Sequence, residues 1–246
     1  MRLTVLGSSG GYPAPGSACS GYLVEDGDSR LWVDAGSGTF ARLLEHCSPD
    51  ELSAALISHL HADHWTDLIV GLHALQFAFD RDEPLPVYGP AGWMETMGVV
   101  AEWAREDPPA FLARELRDRE TIEAGSLTIV PIEVEHSDEM DTFGFRISNE
   151  GSTLAYSADS GPNGALGAVA QGADLFICEA GSPGDVEMHM HLNGRQAGEI
   201  ATAAGARRIL VTHLAPGADP DETLAYVRST FEGPVELATD GLSLDV

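Results

Sequence analysis

The sequence predicts an α/β sandwich built from mixed β-sheets. Two observations carry that expectation. Strand-like runs meander through the first and middle parts of the chain, and strands alternate with helices towards the C-terminus. A third observation, that no linker or low-complexity stretch interrupts the pattern, assigns residues 1–246 to one domain. With 43% hydrophobic residues and 27 glycines, the chain can fill a sizeable core and connect many short elements.

Residues 3–6, 22–25 and 31–34 read as strands separated by Gly, Ser and Pro clusters. A short helix over 39–45 follows and is broken at Ser48-Pro49-Asp50. Residues 54–58 form a short apolar strand running into a histidine cluster. The spacing of Leu68, Leu72, Leu75 and Phe79 predicts a helix over 67–79. Val87-Tyr88 reads as a strand and 93–104 as a helix. The middle section, 127–134, 142–147 and 153–156, looks antiparallel, with a turn at Asn149-Glu150-Gly151. Helices at 166–170, 194–204 and 221–231 then alternate with strands at 175–178, 209–211 and finally near 235–237.

Composition excludes several function classes. The net charge is −26, and all 13 basic residues are arginine. So acidic a surface repels a phosphate backbone, and a nucleic-acid partner would need a local basic patch. The one basic cluster, Arg114, Arg117 and Arg119, is interleaved with Glu115, Asp118 and Glu120 and reads as a solvated face. The absence of lysine excludes Schiff-base chemistry and a phosphate-loop ATPase. No run approaches the roughly 18 to 20 apolar residues that span a bilayer, so no membrane partner is expected. The apolar part of residues 1–7 is too short for a signal peptide, and the expected location is the cytoplasm. Cys19, Cys47 and Cys178 are odd in number and unpaired in spacing, which reads as reduced thiols. Cys178 follows Leu175-Phe176-Ile177 and reads as a buried residue.

The most informative segment is Ile57-Ser58-His59-Leu60-His61-Ala62-Asp63-His64. Four potential ligands fall within six residues at the end of an apolar strand. Residues two apart project to one side of an extended chain, so His59 and His61 can grip one cation. If the chain then turns into a helix, Asp63 and His64 can face a second. Neutral imidazoles with a carboxylate suit zinc, although manganese or iron also accept such ligands.

This segment resembles the His-x-His-x-Asp-His signature of the metallo-β-lactamase superfamily. That resemblance implies a four-layer αββα sandwich and further ligands after later strands. His136, Asp159 and His213 each end a strand-like run in the required order. By resemblance, His59, His61 and His136 hold one metal, Asp63, His64 and His213 hold the other, and Asp159 bridges two divalent cations, zinc foremost. Asp34 is either a carboxylate behind a ligand histidine or a cap for the following segment.

The branch is read from four further segments. Leu6-Gly7-Ser8-Ser9-Gly10-Gly11-Tyr12-Pro13, Val33-Asp34-Ala35-Gly36, Cys178-Glu179-Ala180 and His191 ahead of Gln196-Ala197-Gly198-Glu199 are similar to the ribonuclease Z-like phosphodiesterases. The opening glycines lack the order of a dinucleotide-binding turn and fit a loop framing the site. By the resemblance, a metal-bound hydroxide attacks phosphorus, His191 protonates the leaving oxygen and Glu179 orients its ring. An ordinary loop histidine is the alternative at 191, and His189, two residues away, competes for the role. His46 and His73 fall on expected helices without partners.

The segment between His64 and His136 lacks the basic, glycine-rich arm with which ribonuclease Z grips tRNA. It carries Glu102, Glu106, Asp107, Glu115, Asp118 and Glu120 instead. The segment His191-Leu192-Asn193-Gly194 resembles bacterial enzymes that hydrolyse cyclic AMP. The expected activity is therefore hydrolysis of a small nucleotide phosphodiester. Processing of tRNA 3′ ends and metal binding without turnover are the alternatives. The oligomeric state stays open, a homodimer included.

Overall fold

The computed structural model describes residues 1–79, 81–105 and 109–246. Glu106 and Asp107, two of the acidic residues named above, lie outside them. Strands β1 (Arg2–Gly7), β2 (Gly21–Asp26) and β3 (Ser29–Ala35) form an antiparallel meander, and α1 spans Thr39–Leu43. Then follow β4 (Ala54–Leu56), α2 (Ala62–Ala78), β5 (Leu85–Gly89), α3 (Trp93–Val100), β6 (Phe111–Glu115) and β7 (Ile122–Ala124). The second half contains β8 (Leu127–Ser137), β9 (Met140–Ser148), β10 (Thr153–Tyr156), α4 (Gly164–Ala170) and β11 (Leu175–Glu179). It closes with α5 (Gly194–Ala204), β12 (Ile209–Thr212), α6 (Pro220–Arg228), β13 (Val235–Leu237) and β14 (Ser243–Asp245).

Two seven-stranded sheets result, in the orders β14-β1-β2-β3-β4-β5-β6 and β13-β12-β11-β10-β9-β8-β7. Alternating inward residues of both, among them Val5, Tyr22, Val33, Phe145, Tyr156 and Ile177, form the core between the sheets. The outer face of the first sheet packs Trp32 and Leu23 against Leu68, Leu72 and Leu75 of α2. The outer face of the second packs Phe176 and Val211 against Leu166, Ala197 and Val227 of α4, α5 and α6. This is the four-layer αββα sandwich expected from the sequence. No helix among the described residues is long and apolar enough to cross a membrane.

The parallel strands position the site. β3, β4, β5 and β6 run parallel in one sheet, and β10, β11, β12 and β13 in the other. In such sheets ligands gather beyond the carboxyl ends of the strands, where loops meet helix N-termini. Asp34, the His59–His64 segment, Asp159, Glu179 and His213 all occupy such ends.

Four local expectations need correction. α2 begins at Ala62, not at residue 67, so Asp63 and His64 lie in its first turn. The helix over 93–104 breaks at Ala101, and a 3-10 turn over Glu102–Arg105 follows. The strand near 235–237 is not the last, because Ser243–Asp245 pairs with β1. His46 lies in a turn rather than a helix, whereas His73 has ring partners in Phe77 and Trp103, 4.7 and 5.2 Å away.

Candidate metal centre

The seven candidate ligands, spread from His59 to His213, come together in one place. Ligand atoms of His59, His61, His136 and Asp159 lie within 4.8 Å of one another, as do those of Asp63, His64 and His213. All but His61 are buried. His61 Nδ1 stands 3.2 Å from His59 Nε2 and 3.0 Å from His136 Nε2. His59 and His136 carry their protons on Nδ1, towards Ser58 Oγ and Met190 O. The single proton that His61 Nδ1 could bring therefore leaves at least one pair of nitrogen lone pairs converging. His213 Nε2 lies 3.2 Å from Asp63 Oδ2 and 3.3 Å from Asp159 Oδ2. His64 Nε2 and Asp159 Oδ1 are 3.2 Å apart but not aligned to bond, and both are buried without a hydrogen-bond partner. Buried polar atoms left unsatisfied in this way cost stability unless something else occupies the point they face. The donor set therefore fits two divalent cations.

Three of the remaining ring nitrogens, Nδ1 of His59, His64 and His136, are fixed from behind, whereas His213 Nδ1 is buried without a hydrogen-bond partner. Asp34 Oδ2 accepts from His64 Nδ1 at 2.7 Å, from Ser58 Oγ at 2.8 Å and from the Tyr156 hydroxyl at 2.8 Å. Its Oδ1 accepts from Ser58 N at 2.7 Å. Of the two readings of Asp34, the structure supports the carboxylate that orients a histidine. Ser58 Oγ also lies 3.0 Å from His59 Nδ1, and His136 Nδ1 donates to Met190 O at 2.7 Å. These contacts leave the inward nitrogens as lone-pair donors, the tautomer a cation requires.

The backbone is bent to present the site. Among the described residues four non-glycines have positive φ, and three of them are Asp34 (55°), Ala158 (52°) and His213 (53°). Each sits at the end of a parallel strand and re-aims the chain. Residues other than glycine resist this conformation by about 1–2 kcal/mol, a cost borne where the surrounding fold fixes the geometry.

The side chains' own charges favour a proton on His64 at the point where a cation would otherwise sit. Burial opposes a charge on His64, but Asp159 and Asp34 outweigh it and raise its pKa well above the usual histidine value. Burial resists ionisation of Asp159 too, yet His213 and His64 hold it well below the usual carboxylate range. For His59, burial and repulsion by His64 lower the pKa.

Glu179 and His191 also meet at the site. His191 Nδ1 lies 3.1 Å from Glu179 Oε1, and Glu179 also accepts from Ser160 N at 2.9 Å and Gly181 N at 2.6 Å. The His191 ring sits 5.0 Å from His136 and 5.6 Å from His213. Burial opposes its charge, but the bond to Glu179 outweighs burial and raises its pKa to about 9. His189 is exposed, and no contact of its ring bears on the site. Sequence reading did not single out Ser58, Tyr156 or Gly11. Gly11 N donates to Asp63 Oδ2 at 2.7 Å and ties the first loop to the ligand cluster.

The profile of the Beta-lactamase superfamily domain matches residues 29–214, three quarters of the chain. The chain belongs to this superfamily. Within the superfamily, an uncharacterized protein of Mycobacterium leprae is 35% identical, over 100% of this chain and 89% of its own length. The probable metallo-hydrolase YhfI of Bacillus subtilis is 30% identical over 98% of each chain. The crystal structure of YhfI, a metallo-β-lactamase fold protein, superposes with a TM-score of 0.89 over 99% of each chain, at 29% identity. Human tRNase Z, short form, shares the fold with a TM-score of 0.82 over 100% of this chain and 99% of its own, at 21% identity. This superfamily member is a metallo-hydrolase, with clusters able to bind metal ions.

Proposed function

We propose that the protein hydrolyses phosphodiesters of small nucleotides, cyclic AMP-like diesters foremost. One observation carries the reading: the Glu179–His191 pair stands beside the ligand cluster, where a proton can reach an oxygen leaving phosphorus. In this reading His59, His61 and His136 hold one divalent cation, Asp63, His64 and His213 hold a second, and Asp159 reaches both. Zinc suits the donors best, and manganese or iron fit the same set. When bound, such a pair acidifies a water and offsets charge on the phosphoryl oxygens.

The chain's own residues supply the rest. Asp34 and Ser58 hold the rings of His64 and His59 with their inward nitrogens unprotonated. Glu179, anchored by two backbone amides, directs His191 Nδ1–H away from the site and stabilises the charged ring. His191 Nε2–H is then the proton that passes to the leaving oxygen, while Glu179 fixes its direction. General acids of this kind contribute about 10² to 10⁴ in rate.

Endonucleolytic processing of tRNA is the second reading, favoured by the likeness to human tRNase Z. Against it, the described residues from α2 to β7 fold as helices and short strands. Two of their exposed arginines pair with acids, Arg117 with Glu120 at 3.9 Å and Arg119 with Asp118 at 3.4 Å.

The test is an assay of the metal-loaded protein on cyclic AMP, on bis(p-nitrophenyl) phosphate and on precursor tRNA, beside a His191→Ala variant. The reading expects turnover of the small diesters and a loss of about 10² to 10⁴ in the variant at unchanged metal content. Turnover of precursor tRNA alone favours the endonuclease. Equal background rates in both proteins favour a binder without turnover.

A further inference from the structure

A cavity of 430 Å³ opens against the ligand cluster on the side of His213, between the first loop, the segment after β12 and the end of β13. Its inner wall adjoins the site without including any of the candidate ligands. A Cβ at Gly10, which lines the cavity, would lie 3.0 Å from the His213 ring, and Leu214 lines the cavity directly after that ligand. Gly11, the next residue of the loop, donates to Asp63. The other walls are apolar: Tyr12, Pro13, Pro15, Pro216 and Leu237. None of its described lining residues is charged.

Three serine hydroxyls stand at its base, and their protons all point one way, while the Tyr12 hydroxyl adds a fourth at the exposed rim. Ser9 Oγ donates to Ser17 Oγ at 2.8 Å, Ser17 Oγ donates to Asp240 Oδ1 at 3.0 Å, and Ser8 Oγ donates to the same oxygen at 3.1 Å. Asp240 is held beneath the loop by Ala18 N at 2.6 Å and by Arg42 at 3.2 Å. Because a hydroxyl has one proton and two lone pairs, Ser8 and Ser9 can turn only acceptor lone pairs towards an occupant. An uncharged, apolar cavity with acceptors at its base rejects phosphate, which is itself an anionic acceptor. It suits a ring system bearing N–H or O–H donors.

We infer that this cavity takes the nucleoside end of the substrate while the phosphate lies at the ligand cluster, with Tyr12 and the proline rings against the base and Ser8 and Ser9 accepting from its amino or sugar hydroxyl groups. The inference rests on the phosphodiesterase reading for the identity of the substrate. Its own content is the division of the ligand between two chemically opposite neighbours. Stacking of a base on an aromatic ring is worth roughly five- to 150-fold in binding.

Calorimetric titration of the metal-loaded full chain with adenosine 5′-monophosphate and with methyl phosphate tests it. The nucleotide is expected to bind at least about tenfold more tightly than methyl phosphate. Ala14→Trp, at an exposed lining position, fills the cavity and should remove that preference while methyl phosphate binds as before. Ser9→Ala, a smaller change that keeps the loop, should weaken the nucleotide alone. Equal affinity for both probes in the unaltered protein overturns the inference, as does nucleotide binding that neither variant changes. A protein that binds the nucleotide selectively yet hydrolyses no diester would sink the phosphodiesterase reading and leave the cavity assignment standing.

Discussion

Asp34 shows how much one buried side chain can control. It accepts four hydrogen bonds, and through Ser58 it serves His59 of one ligand cluster while it holds His64 of the other directly. Asn at this position tolerates the left-handed backbone that Asp34 adopts, so Asp34→Asn separates the hydrogen bonding from the strain. An amide nitrogen accepts no hydrogen bond, so whichever way it turns it faces a donor, Ser58 N–H on one side or His64 Nδ1–H, Ser58 Oγ and the Tyr156 hydroxyl on the other. The variant should lose about 10- to 100-fold in metal affinity, read by competition with a chromophoric chelator. Affinity equal to that of the unaltered protein would show that the ligand rings need no carboxylate behind them. Glu179 acts on His191 in the same way, from outside the reacting atoms. Glu179→Gln keeps a neutral acceptor for His191 Nδ1–H but removes the charge, so kcat should fall while KM and metal content hold. A fall in metal content instead would make Glu179 a support of the ligand cluster.

Elements decide where these residues can meet. The convergence of the candidate ligands was legible because each follows a strand-like run, and parallel strands deliver their carboxyl ends to one edge. What escaped the sequence reading has physical causes. β7 and β14 are three residues each, too short for a period to declare itself, and they exist through pairing with β8 and β1. Residues 62–66 carry ligands instead of an apolar stripe, so the start of α2 was hidden by its function. Asp34 was left between two readings, because only the fold brings Ser58 and Tyr156 against it. A clamp between the two sheets was equally hidden. Asp26, at the end of β2, accepts from Ser126 Oγ at 2.6 Å and from Asn149 Nδ2 at 2.7 Å, both from turns of the other sheet. Those bonds, that of Ser126 first, hold its pKa below the ordinary carboxylate value. A depressed carboxylate contributes stability above its unfolded pKa and loses it as pH falls through the folded value. Asp26→Asn should therefore lower the Tm at neutral pH, and the gap between the two proteins should close below about pH 3.8. A gap independent of pH would assign the loss to packing.

At the scale of the whole molecule, a charge of −26 surrounds a site proposed to take anions. The two demands are compatible only if positive potential is local, which is what paired cations in a buried nest of histidines and carboxylates would supply. Removing them should matter beyond catalysis, because the buried ligands would then face one another unscreened. Chelation is expected to lower the Tm as well as abolish turnover, and calorimetry with and without a chelator reads it. The same charge distribution bears on the size of the substrate. A protein that grips nucleic acid through arginines and lysines releases counterions, and its affinity falls steeply with salt. Here lysine is absent, and Arg117 and Arg119 lie beside Glu120 and Asp118. A long polyanion would meet net repulsion from a chain of charge −26, and added salt would screen that repulsion. A mononucleotide diester carries one charge and should feel it weakly. Raising the salt from about 20 to 200 mM should therefore raise kcat/KM for an oligonucleotide while leaving that for cyclic AMP nearly level. A steep fall for the oligonucleotide would reveal a cationic track and return the endonuclease reading to first place.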